Sequence, residues 1–272
     1  MPGSRFSSGA AVFLSSLLAL ALPAGRSGVE AIVLGIAQDG GVPHAGCHQK
    51  LCVEARRDPS KRRLVASLGL TDALAGKRFV IDATPDFAQQ MERLGSLPDG
   101  ILLTHAHIGH YLGLAQLSRE VLNARAVPVY CTASMARFLR ENRPWSRLIA
   151  EQNISIQLVE PDAEFRLTEN IRVTPRRVPH RDEDSDTVAY LIRGPERRLL
   201  WLPDIDKWET WDRRIEDLAA DPGLLAFLDG TFFEPDEIPG RSIADIPHPL
   251  VPETVERLLE SGGPARRSSS CI

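Results

Sequence analysis

At 272 residues, with 43% hydrophobic and 25% charged side chains, the chain has the composition of a folded globular protein, not a disordered or fibrous one. Its formal charge of −4, with no basic tract interleaved with aromatics, gives no reason to expect nucleic acid as a partner. Four cysteines leave the redox compartment undecided.

The chain opens with a positive residue, Arg5, then a nearly uncharged Leu- and Ala-rich run from Ala10 to Ala21, then small residues up to Gly25. That is the layout of an export signal spanning 1–24, with cleavage after Ala21 or Ala24. No other stretch is apolar for long enough to span a bilayer. The mature chain is therefore expected to be soluble and exported (periplasmic or secreted), with no membrane attachment after cleavage.

Glu30 to Ile36 reads as an apolar strand that runs into Gln38-Asp39-Gly40-Gly41-Val42-Pro43-His44. Adjacent glycines and a proline exclude regular structure there and allow close backbone approach to a ligand. His44, Cys47, His48 and Cys52 follow. Cys47 and Cys52 are a local pair, open to a disulfide or to a small structural metal site; a tight turn is the other reading. Arg56 to Lys61 is charged and expected to be exposed. Leu64 to Leu70 and Lys77 to Asp82 read as strands, and Phe87 to Leu94 as a helix.

Gly100 to Leu103 is a short buried strand that ends at Thr104 and delivers His105, His107 and His110 within six residues. Side chains two apart on extended backbone point the same way, so His105 and His107 can converge on one ion. His110 begins a helical pattern through Leu112, Leu114, Leu117, Val121 and Leu122 that turns its ring back toward them. Neutral imidazole is the commonest protein ligand for zinc and similar metals.

Further on, Val127 to Thr132 is a strand containing a buried Cys131, and Ala133 to Asn142 is a helix broken at Arg143-Pro144. Strands are expected at Ile154–Val159, Glu164–Thr168 and Ile171–Val178, the last ending in His180, Asp182 and Glu183. Thr187–Ile192 and Arg198–Leu202 form a hairpin that finishes at Asp204. Lys207 to Ala219 has helical spacing, Leu224 to Asp229 is a strand, and Pro252 to Glu260 is a last helix. Strands come in runs with helices as interruptions, which predicts one α/β domain over 30–260, with two packed sheets and helices outside. His105, His107, His110, His180, Asp204 and His248 all lie where regular structure gives way to loop.

Thr104-His105-Ala106-His107-Ile108-Gly109-His110 followed by Leu112-Gly113 resembles the HxHxDH motif of the metallo-β-lactamase superfamily. His180 fits its next ligand, and Asp204 its bridging aspartate. The segment from Leu34 to Pro43 with Gly46-Cys47, and Phe227-Leu228-Asp229-Gly230-Thr231-Phe232, are similar to the branch named for coenzyme PQQ synthesis protein B, a relative of the cyclic-phosphate phosphodiesterases.

The resemblance implies a four-layer αββα sandwich with metals at one edge. His105, His107 and His180 would hold a first ion; His110 and a bridging Asp204 would serve a second. Zinc, as one ion or two, is the implied cofactor, with iron or manganese as alternatives. The implied chemistry is hydrolysis of an ester, lactone or phosphodiester in a small-molecule substrate, with His180, His110 and Asp204 at the reacting centre. An oxidative step in PQQ-type cofactor maturation is the second reading, and non-catalytic ligand binding the third; a homodimer is the assembly state to test. Asp182 or Glu183 would orient ligands or touch substrate.

Three departures from the family pattern bear on this. Gly109 stands where the motif has aspartate, which favours a single metal or a weak second one. Gln49 replaces the middle cysteine of a Cys-x-Cys-x-x-Cys, weakening the structural zinc at Cys47 and Cys52. Residues 261–272 read as a disordered or altered tail lacking the family's last strand and late histidine, for which His248 is the candidate substitute.

Overall fold

The computed structural model describes residues 28–235, 237, 247–260 and 270–271; the expected export signal lies outside them. Sheet one carries β1 (Val29–Gly35), β2 (Ser67–Asp72), β3 (Lys77–Ile81), β4 (Gly100–Leu102), β5 (Val127–Cys131) and β6 (Ile154–Leu158) side by side in chain order. Sheet two carries β7 (Phe165–Arg166), β8 (Arg172–Val178), β9 (Thr187–Arg193), β10 (Arg198–Leu202), β11 (Leu224–Leu228) and β12 (Ser270–Cys271), again in order. Each sheet begins with antiparallel meanders and finishes with parallel pairs, β3 to β6 in one and β10 to β12 in the other.

Alternation along the strands builds the layers. Val80 and Ile101 face one way, into a core shared with α2 (Phe87–Leu94), α4 (Ala133–Glu141) and α5 (Trp145–Ala150). Their neighbours Phe79, Ile81 and Leu102 face the other way, onto Val173, Val188, Tyr190 and Trp201 of the second sheet. Ala189, Leu200, Leu202 and Leu228 line the far side of that sheet, against Trp208, Trp211 and Ile215. Three apolar interfaces between four layers give the expected αββα sandwich. With both faces covered, inner strands such as β4 and β10 read as near-continuous apolar runs, while β6 at the sheet edge keeps exposed positions.

Polar ties join the sheets. The Tyr190 hydroxyl donates to Leu103 O at 2.7 Å, and the Val188 N–H reaches Thr104 O at 3.1 Å. At the opposite end the fully buried Asp72 accepts from the Thr168 hydroxyl at 2.6 Å, the Asn170 amide and the Ala75 N–H.

Several elements differ from the expectation. The helix after His110 stops at once: α3 covers only Ile108–Tyr111, followed by a 3₁₀ turn over Leu112–Leu117. The Gly113 N–H bonds to Ala83 O at 2.7 Å and the Ala83 N–H to His110 O at 2.9 Å, so the backbone is latched to the end of β3 instead of to its own ladder. A Cβ on Gly113 would come 2.3 Å from Thr84 O. Likewise, 207–219 is not one helix. A 3₁₀ turn at Trp208–Thr210 is separated from α6 (Ile215–Ala219), because the Trp208 indole is anchored to Thr254 and the Trp211 indole to Arg177 O.

Lys50–Arg57 forms a helix, α1, and Trp145 starts α5 where only a break was expected. The last helix is α7 (Val251–Glu260). Finally, the tail that was expected to lack a strand supplies β12, paired in parallel with Phe227 and Leu228 at the open edge of β11. Among the described residues no helix is long and apolar enough to cross a membrane.

Burial alone would raise the Asp72 pKa, but Thr168, Ala75 and Asn170 outweigh it and hold the carboxyl below its ordinary value. Its contribution to stability is therefore present above the unfolded carboxyl's pKa and lost as pH falls through the lowered one. Thr168→Val is expected to cost about 1.5–3 kcal/mol at pH 7, and the gap from wild type should narrow in acid; urea unfolding at a series of pH values measures both.

Candidate metal centre

Every candidate ligand except His248 leaves a strand at the same edge. Thr104, His105 and His107 follow β4, with His110 in α3 just behind them. His180 follows β8, and Asp204 and Asp206 follow β10. Asp82 and Asp229 follow β3 and β11, and His248 precedes α7. His107, His110, His180, Asp204 and His248 border a cavity of about 640 Å³ between the sheet edges.

The hydrogen bonds decide which imidazole nitrogens face that cavity. Asp82 is fully buried, in the left-handed conformation at φ 67°. It accepts the Thr104 N–H at 2.9 Å, the Thr104 hydroxyl at 3.0 Å and the His110 Nδ1–H at 2.8 Å. Because the Thr104 hydroxyl donates to Asp82, it can only accept from His105, whose Nδ1 lies 2.9 Å away. His180 Nδ1 is 3.1 Å from Asp206, and His107 Nε2 is 2.9 Å from Glu183.

Of the remaining nitrogens, Nε2 of His105 and His180 and Nδ1 of His107 are then bare, while His110 Nε2 points at Asp204. His105 Nε2 is buried with no hydrogen-bond partner. His180 Nε2 and His107 Nδ1 stand 3.2 Å apart, lone pair to lone pair. His110 Nε2 is 3.0 Å from an Asp204 oxygen, and His105 Nε2 is 4.0 Å from the same oxygen. A buried acceptor without a donor is costly, and several converging acceptors need a cation. The donor set, four imidazoles and a carboxylate, is one that zinc-class ions take. His105–His107–His180, His105–His110–Asp204 and His180–Asp204–His248 each bring their ligand atoms within 4.8 Å of one another.

The charges of these groups are arranged accordingly. Burial, then the neighbouring His110, holds His105 well below the ordinary imidazole value. Burial works against a charge on His110, yet Asp82 and Asp204 outweigh it and hold that ring well above the ordinary value. Burial also opposes ionisation of Asp204, and His110 outweighs it, so this carboxyl is held well below its usual range. His110 and Asp204 thus form a charge-matched pair 3.0 Å apart, and an ion taking both as ligands would have to displace the proton they share.

The other expected residues divide. His248 reaches the site: its Nδ1 donates to the buried Asp229 at 2.6 Å and lies 4.0 Å from Asp204. Asp182 does not; it pairs with Arg177 at the surface, and the neighbouring Glu183 holds His107. Cys47 and Cys52 are free thiols beside one another, with the His44 N–H on the Cys52 sulfur at 3.3 Å. The two thiols are unbonded, and among the described residues no three ligand atoms gather around them. The His44 ring lies instead against Gly40, where a Cβ would come 2.7 Å from it. Cys131 is buried, and burial pushes its thiol up to about 12.

Residue types alone did not mark Asp82, Asp206 or Asp229. Their shared signal is position: each is an acid one to four residues beyond a strand end on this edge.

Replacing Asp82 by Asn leaves one acceptor oxygen where Thr104 and His110 now use two, so one of them faces an amide donor instead. Isothermal titration should find zinc affinity lowered about 10–100-fold. An affinity equal to wild type would remove Asp82 from the orientation of the site.

Comparison with known proteins agrees with this geometry. The beta-lactamase superfamily domain matches residues 77–267. Coenzyme PQQ synthesis protein B of Rhizobium meliloti is 27% identical over 236 residues, covering 78% of this chain and 75% of the relative. An octanoyltransferase of Porphyromonas gingivalis is 35% identical over 162 residues, 56% of this chain, although the chain spans only 31% of that protein's length. Among solved structures, zinc-bound PqqB from Methylobacterium extorquens superposes with a TM-score of 0.66 at 22% identity, covering 81% of this chain and 80% of the other. Two packed sheets, ligands at one edge and the matched region together make this chain a member of the beta-lactamase superfamily, in the metallo-β-lactamase fold.

Proposed function

We propose that the protein is a metal-dependent hydrolase acting on an ester, lactone or phosphodiester. The observation that carries the reading is the convergence of ring nitrogens: four imidazoles, each held through its other ring nitrogen, gather around one carboxylate at the border of a cavity wide enough for a small molecule. A divalent ion in such a site supplies a nucleophilic water at neutral pH and a Lewis acid for the bond under attack.

The chain's own groups complete the chemistry. His105, His107 and His180 present three imidazole donors. Asp204 stays ionised and balances charge between them and His110. His248 lines the cavity; burial works against its charge, but Asp229 outweighs it and holds the ring above the ordinary imidazole value. That suits it to deliver a proton to a leaving oxygen. Arg181 at the cavity wall offers a guanidinium suited to an anionic phosphodiester.

The similarity to coenzyme PQQ synthesis protein B favours a second reading, an oxidative step in cofactor maturation. Three imidazoles with one carboxylate and open positions also suit iron.

Purified protein loaded with zinc, manganese or iron and assayed on bis(p-nitrophenyl) phosphate and p-nitrophenyl acetate separates these readings. Hydrolysis is expected with metal present, falling by roughly a hundredfold or more in His105→Ala together with the bound metal. Rates indifferent to both metal and His105→Ala would sink the hydrolase reading; oxygen uptake only with iron would favour the oxidative one.

A further inference from the structure

Gly109 lies in α3 between His107 and His110, and what surrounds it explains the missing side chain. A Cβ built there would meet Asp39 Oδ1 at 2.1 Å, Asp39 Cγ at 2.7 Å and Asp39 Cα at 2.8 Å. The space that a motif aspartate would enter is already filled by another carboxylate, arriving from the loop after β1.

We propose that Asp39 is a metal ligand: with His110 and Asp204 it completes a second ion subsite, supplying from the β1 loop the carboxylate that position 109 lacks. This rests on the metal-dependent reading above and deepens it.

Three observations support the assignment. Asp39 Oδ1 lies 3.6 Å from His110 Nε2, and Asp204 Oδ2 lies 3.0 Å from the same nitrogen. Ligand atoms around a tetrahedral ion, at bond lengths of about 2.0–2.1 Å, are separated by about 3.3 Å. Asp39 also lacks a conventional counter-charge: among the described residues its only ion-pair partner is His110. Close behind, the bare and unpartnered His105 Nε2 is 1% exposed and faces the same Asp204 oxygen.

The loop is built to hold this carboxylate. The Gly41 N–H closes a turn onto Gln38 O at 2.7 Å, with Asp39 at its second position and Gly41 at φ 65°. Residues on both sides are pinned to the segment leading into β2: the Ala66 N–H bonds to Ala37 O at 2.8 Å, and the Val42 N–H to Arg63 O at 2.8 Å. Asp39 is 49% exposed, so its other face opens to the cavity, where an ion can enter.

The test is zinc stoichiometry and stepwise affinity by elemental analysis and isothermal titration, without any assay of turnover. Wild type should bind two equivalents. Asp39→Asn, close in shape, should keep the first and weaken the second by at least tenfold. Gly109→Asp alone should be destabilised by the overlap with Asp39, whereas Asp39→Gly combined with Gly109→Asp should restore the second equivalent. One equivalent in wild type, unchanged in Asp39→Asn, would overturn this inference and leave the metal-dependent reading standing. Two equivalents with unaltered affinities in Asp39→Asn would also overturn it. No bound zinc in wild type would overturn both.

Discussion

A single buried carboxylate sets the chemistry of the centre. Asp82 sits at the end of β3 with no exposed surface and a positive φ, a conformation that costs a non-glycine residue free energy and persists only where its surroundings over-determine it. Burial lifts its pKa, with His110 and Thr104 only partly offsetting the shift. By taking the Thr104 hydroxyl and the His110 Nδ1–H together, it fixes two imidazoles at once, one directly and one through threonine. If Asp82 did not accept these protons, neither ring would have a defined nitrogen turned toward Asp204.

The two-sheet architecture makes that arrangement available. Parallel pairing of β3, β4 and β5 brings Asp82 beside Thr104, because strands running the same way end at the same edge. The second sheet ends at that edge too. The Val188 N–H bonds to Thr104 O, and the Ala106 N–H to the Ser185 hydroxyl at 2.9 Å, so the β9 entrance is stitched to the His105–His107 turn. His180 and Asp204 are thereby held opposite His105 by backbone, and the ligands depend little on the loops between strands.

Much of this was legible in the sequence because strand ends and histidines are local signals. The run from Gly100 to Leu103 with His105, His107 and His110, and the chain terms His180 and Asp204, found their places. Less legible was what depends on tertiary crossing. Helical spacing from Leu112 to Leu122 failed because Gly113 is drawn onto Ala83, a contact between segments thirty residues apart in sequence. Asp182 and Glu183 are adjacent acids, and only the packed turn shows that the second one reaches His107. Asp39 was hidden for the same reason: in sequence it is a turn residue beside two glycines, and its role emerges only against the absent side chain of Gly109.

The supports of the ligands are graded in a way that bears on how the site works. His105 and His110 are positioned by groups with no exposed surface, whereas His107 leans on Glu183, which is 56% exposed. An exposed hydrogen bond competes with water and contributes less than a buried one. The floor of the site is therefore stiff and its outer wall compliant. Asp39, half exposed, lies on the same open side, although its loop is pinned to the segment before β2. A centre with this gradient would hold its innermost donors fixed while those nearest the cavity adjust, so an ion or a small molecule would enter from that one side.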